Sequence, residues 1–235
     1  MRVLGLDAST GGAGAALADA QGLVASAWVG RGARPAATLL SLAERVLTAS
    51  GLGVPDLEGI AVATGPGSYA GVRAAVVTAK TLAHVSRLPL AVMGSLEALA
   101  RAAGPWPGSV WVVIDARRRR LYAAEFRWGP GGPVAVGGEA LLEREAFWHA
   151  VTASSTGPRL LVGTGLAAED EEATGGAARG VSLGSAAAPA ALAAAVALRG
   201  RDLLLRGCST EPLALLPHYG SAPALEGPPA RFTPG

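Results

Sequence analysis

Val3-Leu-Gly-Leu-Asp-Ala-Ser-Thr-Gly-Gly12 is an apolar run closed by an acid and a cluster of turn formers. Such a run, bounded by Gly, Ser and Thr, reads as a short buried strand that ends in a tight turn. Ala13 to Ala18 and Leu23 to Val29 supply two more runs, punctuated by Asp19-Ala-Gln-Gly22, so the chain is expected to open on a three-stranded meander. The pattern returns later. Val110 to Ile114 runs into Asp115-Ala116, then a turn, then Leu121-Tyr-Ala-Ala-Glu-Phe126. A strand capped by Asp-Ala and followed by a returning strand, twice in one chain, predicts two similar α/β halves, with chance likeness of two short matches as the alternative.

Between the two openings the spacing becomes helical. Pro35 sits where a first helical turn tolerates it, and Leu39, Leu42 and Val46 recur at helical intervals up to Gly51. Ile60 to Thr64 reads as a buried strand, followed by Gly65-Pro-Gly-Ser-Tyr-Ala-Gly-Val-Arg73 and a helix over about Tyr69 to Ser86. The glycine loop fails as a Walker-type phosphate loop. Gly65 and Gly71 are one residue too far apart, Val72-Arg73 stands where Lys-Ser/Thr is needed, and Lys80 lies more than two turns up the helix. Two readings remain. In one, Gly65 and Gly67 supply unusual backbone angles, Pro66 stiffens the turn and Ser68 caps the helix. In the other, the helix N-terminus holds an anion.

The helix after that loop is apolar over most of its circumference. Arg73, Lys80, His84 and Arg87 share one narrow stripe, with Val72, Val76, Ala79 and Ala83 on one side and Ala74, Val77, Thr81, Val85 and Leu88 on the other. A helix lying on a sheet needs an apolar stripe of only about 100°. The excess must be covered by another element or by another chain. The preceding helix, with Leu39, Leu42, Ala43 and Val46, and also Leu40 and Leu47, is similarly two-sided, so the pair is expected to form a subunit interface through Leu39, Leu42, Ala43, Val46, Val72, Val76, Ala79 and Ala83. On that basis Val76→Glu or Leu42→Glu should block docking and leave the chain folded. Internal packing of helix on helix is the alternative.

Composition sets the remaining bounds. A chain of 235 residues that is 50% hydrophobic can bury a sizeable core. Lys+Arg of 20 against Asp+Glu of 18 leaves +2, too weak a field to argue for nucleic-acid binding by itself. Lys80 is the only lysine. Cys208 is the only cysteine, so no internal disulfide can form, and a reducing, cytoplasmic setting is expected. The apolar run before Asp7 is too short for a signal-peptide core, and Ala186 to Leu198 is too short to span a bilayer. After Gly137 the chain is expected to be rich in helix. An acidic run, Glu169 to Glu172, reads as a solvated face, Gly175-Gly176 as a break, and Pro189 to Arg206 as an alanine-rich helix. Pro and Gly in Ala222 to Gly235 suggest a flexible tail. The expected division is 1–103, 104–221 with the last helix free to pack on the first half, and 222–235 as the tail.

The combination of Val3-Leu-Gly-Leu-Asp-Ala-Ser-Thr10, the loop Gly65 to Arg73, Ala79-Lys-Thr-Leu-Ala83, Gly94-Ser-Leu-Glu-Ala-Leu-Ala100, Asp115-Ala-Arg-Arg118 and Pro217-His-Tyr219 resembles the TsaB family, densely over residues 1 to 127 and thinly afterwards. That resemblance implies an α/β fold of the actin-like, Hsp70-like ATPase superfamily, built of two RNase-H-like halves. It implies a scaffold subunit without catalysis of its own. The subunit would pair with the related chain TsaD through the two helices above and work with the ATPase TsaE. The product is threonylcarbamoyladenosine at position 37 of tRNA. A homodimer when TsaD is absent is compatible with it, tRNA would be met indirectly through the complex, and no membrane is involved. One departure stands out. Relatives often carry His-Ser-Glu where this chain has Pro35-Ala-Ala37, so any polar contact made there is missing.

The same resemblance argues against chemistry in this chain, and no cofactor or metal is expected. Nucleotide-binding members of the superfamily approach phosphate on glycine-rich turns, but the second turn here is Asp115-Ala-Arg-Arg-Arg-Arg120. Its arginines are either a solvated hairpin tip or a contact to RNA phosphate. TsaD-like chains hold a metal with two histidines one helical turn apart, positions that correspond to Ser95 and Leu99. His84, His149 and His218 are too scattered to replace them. Candidate nucleotide or anion contacts are Asp7, Ser9, Thr10, Gly65, Gly67, Ser68 and Asp115, although Asp7 can simply bond the turn beside it. Gly163-Thr-Gly165 resembles a worn base-binding loop or a plain turn. The competing function is an independent actin-like ATPase or small-molecule kinase.

Overall fold

The computed structural model describes residues 1–30, 32, 35–153, 157–167, 180–184 and 189–220. The acidic run Glu169 to Glu172, Gly175-Gly176 and the tail Ala222 to Gly235 lie outside the described residues. Two compact units are present, one drawn from Met1–Ala98 with Ala188–His218 and the other from Leu99–Ala187 with Tyr219–Gly235.

The first unit is a five-stranded sheet. The strands β1 (Val3–Asp7), β2 (Ala13–Asp19) and β3 (Gly22–Val29) form the expected antiparallel meander. They are followed by helix α1 (Pro35–Ala49), strand β4 (Gly59–Ala63), helix α2 (Tyr69–Ser86) and strand β5 (Leu90–Met93); helix α3 (Ser95–Ala103) begins in this unit and runs into the second. The order across the sheet is β3-β2-β1-β4-β5, with β4 parallel to β1 and β5 parallel to β4. Every side chain of β1 and β4 is buried, which is why both read as unbroken apolar runs rather than as alternating ones.

Alternation reappears in what each side chain meets. Leu4, Leu6, Ala13, Ala15, Leu17, Ile60 and Val62 share a core with α1 and α2, whereas Val3, Ala16, Ala18, Ala61 and Ala63 face the helix α5 (Pro189–Leu205). The α5 side is built for close approach. A Cβ on Gly5 would overlap the backbone of Ala193 and Ala197, and one on Gly200 would meet Ala61. Alanine enrichment in α5 therefore serves packing at short range. The contacts of α5 are with the first sheet, the packing that the expected division at residue 103 left open to it.

The second unit repeats the plan. Strands β6 (Ser109–Asp115), β7 (Arg120–Gly129) and β8 (Gly132–Glu143) form an antiparallel meander. Helix α4 (Arg144–Ala153) and the strands β9 (Arg159–Val162) and β10 (Val181–Leu183) follow. Its order, β10-β9-β6-β7-β8, is the first sheet's order read from the other edge, again with two parallel additions. The duplicated openings thus mark duplicated topology. Trp111 and Phe147 anchor this core with ring centroids 5.9 Å apart, edge to face.

One expectation fails here. The chain does not turn helical at Gly137, because β8 continues to Glu143. The glycines at 137 and 138 sit where the pairing with β7 shifts register between Ala123 and Glu125, and Gly137 has φ +79. They mark a bulge inside a strand and not its end.

Candidate functional site

The glycine loop between β4 and α2 is stitched to the β1–β2 turn. Ser68 N–H donates to the Ser9 carbonyl at 2.7 Å, Gly65 N–H to Ser95 Oγ at 3.1 Å and Gly71 N–H to Ser68 Oγ at 3.4 Å, so Ser68 caps the helix as expected. Gly65 needs its glycine for conformation, with φ +106. Gly67 needs its own for space, since a Cβ there would overlap the backbone of Ser9. Gly71, the third glycine, lies against the Ala8 carbonyl in the same way. Donors that could hold an anion are in large part spent inside the fold, so this geometry supports aiming the helix more than cradling a phosphate.

Asp7, Ser9 and Thr10 are brought to this junction and are buried. Asp7 Oδ1 accepts from Ser9 Oγ at 2.8 Å and from Ser9 N–H at 3.3 Å, while Oδ2 is buried with no partner among the described residues. Burial pushes the Asp7 carboxyl up to about 6, against the pull of the two Ser9 bonds. Asp115, at the matching place in the second unit, is exposed and its Oδ1 accepts from Arg117 N–H at 2.9 Å. The two acids therefore differ in environment. Gly163, with φ +132, lies against the Val113 carbonyl, and Gly165 N–H donates to that carbonyl at 3.2 Å. The loop is a packed turn on β6.

The eight side chains expected at a subunit interface are in the wrong place for it. Leu39, Leu42, Ala43, Val46, Val72, Val76, Ala79 and Ala83 are all buried in the first unit's own core. The pair of helices lies on one sheet, and the flank that reads as the better apolar stripe is the one the sheet consumes. The other flank stays open. Val77 is 50% exposed and Val85 75%, with Tyr69 at 62% at the start of α2 and Leu40 at 53% on α1. Leu40 also lines a mostly apolar crevice of about 340 Å³, together with Ala43 and Leu47 of α1, Leu82 of α2, and Leu52 and Val54.

Three roles have no counterpart in the sequence reading. Lys80 Nζ donates to the carbonyls of Leu213 and Leu215, each at 3.1 Å. It thereby holds the segment after α5 along α2. That segment is tied at one end by Thr210 N–H to the Leu90 carbonyl at 2.8 Å, and at the other by His218 N–H to the Thr64 carbonyl at 2.7 Å. The third role is Ser95, where TsaD-like chains carry histidine by the resemblance: its hydroxyl is occupied by Gly65, and Leu99 is fully buried. Lysine's uniqueness in an arginine-rich chain is the one signal that could have singled out Lys80. Among the described residues no group of three or more His, Cys, Asp or Glu is placed to hold a metal, and no helix is long and apolar enough to cross a membrane.

Comparison with known proteins is consistent across sequence and fold. Residues 34–148 match the family model of TsaD, tRNA N6-adenosine threonylcarbamoyltransferase. The tRNA threonylcarbamoyladenosine biosynthesis protein TsaB of Bacillus subtilis (strain 168) is 42% identical over 76 residues, which is 32% of this chain and 33% of that protein. The sequence match therefore spans about a third of that curated relative's length. In structure, YeaZ from Pseudomonas aeruginosa superposes with a TM-score of 0.76 at 26% identity, covering 93% of this chain and 99% of that one. The ROK hexokinase of Thermus thermophilus shares the fold alone, with a TM-score of 0.51 at 17% identity over 88% of this chain and 100% of that one. The actin-like α/β fold is thus established for this chain.

Proposed function

We propose that the chain is a member of the TsaB family, which the matched segment of the Bacillus subtilis protein and the YeaZ fold support, and that it is the partner subunit of a TsaD-type enzyme. It would support transfer of the threonylcarbamoyl group to adenosine 37 of tRNA while performing no chemistry itself. The observation that carries this reading is the exposure of Leu40 on α1 and of Tyr69, Val77 and Val85 on α2, with Leu40 also lining an apolar crevice. These residues fall within the stretch that matches the TsaD family model. Burying such a strip against a second polypeptide gives a hydrophobic driving force of about 25 cal/mol per Å². The docking surface is accordingly Leu40, Tyr69, Val77 and Val85 rather than the core side chains beneath them.

Lack of independent catalysis is supported by what occupies the positions that chemistry would need. Ser95 is committed to Gly65, Leu99 is packed away, and the second hairpin turn carries arginines. TsaE would act with the assembled pair, and the work is expected in the cytoplasm, where tRNA is modified. Transfer assays test the proposal. Added to a TsaD deprived of its own partner, the chain should raise threonylcarbamoyl transfer to a tRNA transcript at least tenfold. No stimulation would refute it, as would magnesium-dependent ATP turnover by the chain alone that Asp7→Ala abolishes.

A further inference from the structure

The turn joining β6 to β7 has a conformation and a charge that the function above does not use. Arg117, Arg118 and Arg119 have φ of 63°, 52° and 63°, a left-handed run that side chains other than glycine disfavour. The fold nevertheless holds it. Arg117 N–H donates to Asp115 Oδ1 at 2.9 Å, Ala116 N–H to the Arg120 carbonyl at 2.9 Å, and Arg120 N–H to the Arg117 carbonyl at 3.1 Å. From α4, Arg144 N–H donates to the Arg119 carbonyl at 3.1 Å. Glycine would adopt this backbone at lower cost, so what the arginines add is their side chains.

Those side chains are available. Arg117 to Arg119 are exposed, and none of Arg117 to Arg120 lies within ion-pair distance of an acid among the described residues. Two acids stand close in the chain. Asp115 accepts the Arg117 N–H, and Glu143 is the register partner of Arg120 on β8. Arg144 at the base is engaged, its guanidinium donating to the Gly165 carbonyl at 2.9 Å, which leaves the four arginines of the turn as the tip's cationic cluster in a chain whose net charge is only +2.

We infer that the Arg117–Arg120 tip grips the phosphate backbone of RNA, an assignment that rests on the tRNA reading above. Guanidinium groups bind phosphate through paired N–H donors, and a fixed turn presents them without a cost of ordering the chain on contact. An acidic protein partner fits less well, because the tip offers no apolar anchor: Ala116 is half-buried and Leu121 is buried. The contact is independent of base sequence and depends steeply on salt.

The test uses Arg117→Gly, Arg118→Gly and Arg119→Gly combined, which removes the charge and suits the backbone. A dye-labelled tRNA transcript is titrated with the full chain, alone and mixed with TsaD, across a salt series. The triple variant should melt no lower than the parent, keep TsaD bound, and bind tRNA at least tenfold more weakly. Its plot of log affinity against log salt should be flatter by about 2 to 3, from roughly 0.7 to 0.9 per lost phosphate contact. Arg→Lys at the same three positions should keep most of the slope. Unchanged affinity and slope in the glycine variant overturn the inference, as does loss of TsaD with tRNA binding intact, which would make the tip a protein contact. Failure of the parent to bind or stimulate TsaD is a separate result. It strikes the proposed function and leaves the tip to be judged on RNA binding by the chain alone.

Discussion

Replacing Asp7 by asparagine should change how stability depends on pH, and the change can be worked from the carboxyl's surroundings. Its pKa is raised from 3.8 to about 6 in the folded chain because it is buried, with one oxygen lacking a partner among the described residues. The folded state therefore holds this proton more tightly than the unfolded state, so its contribution is full below pH 3.8 and is lost as pH rises through 6. The difference of about 2 pKa units corresponds to about 3 kcal/mol. Most of that, about 2 to 3 kcal/mol, is lost between pH 4 and pH 7.5. Asparagine cannot titrate. It keeps an oxygen for Ser9, though its amide then meets the place where Oδ2 lacks a donor, at a fixed cost of about 1–3 kcal/mol. Urea unfolding followed by far-UV circular dichroism at the two pH values gives four stabilities. The parent-to-variant difference should move by about 2 to 3 kcal/mol in favour of Asp7→Asn on going to pH 7.5. A difference constant to within about 0.5 kcal/mol would mean that Asp7 does not titrate as a buried acid, and the account of the β1–β2 turn would fall.

Two further outcomes test the first unit's packing. Gly71→Ala places a methyl against the Ala8 carbonyl and should cost about 1–3 kcal/mol by denaturant unfolding; a neutral substitution would show that the loop does not fix the approach of α2. Val76→Glu and Leu42→Glu bury a charge in the core and should cost about 3–5 kcal/mol, with loss of a cooperative melt. A folded, merely docking-deficient Val76→Glu chain would restore the original interface assignment.

The fold was legible because its information is local and doubled. Asp7-Ala8 and Asp115-Ala116 each close a buried strand, and a Pro, Ser or Gly punctuates nearly every element, so α2 appears at its observed limits with Ser68 as its cap. Features set by longer-range pairing were not legible. Gly137 reads as a breaker because a bulge and a strand end use the same residue, and only pairing with β7 tells them apart. The flank of α2 that meets the sheet cannot be decided from a helix apolar on both sides, since Val76 and Val77 are chemically equivalent until β4 is placed beneath one of them. Lys80 acts on carbonyls more than 130 residues away, a separation that no spacing rule reaches.

Docking through the open flank of α1 and α2 is the claim on which the functional reading rests, and the mass of the complex tests it most directly. Val77→Glu combined with Val85→Glu alters exposed positions only, so the variant should melt like the parent. Mixed with TsaD and measured by light scattering on elution, the parent should give the summed mass of the pair and the variant two separate species. A variant complex of the parent's mass and yield would contradict the account.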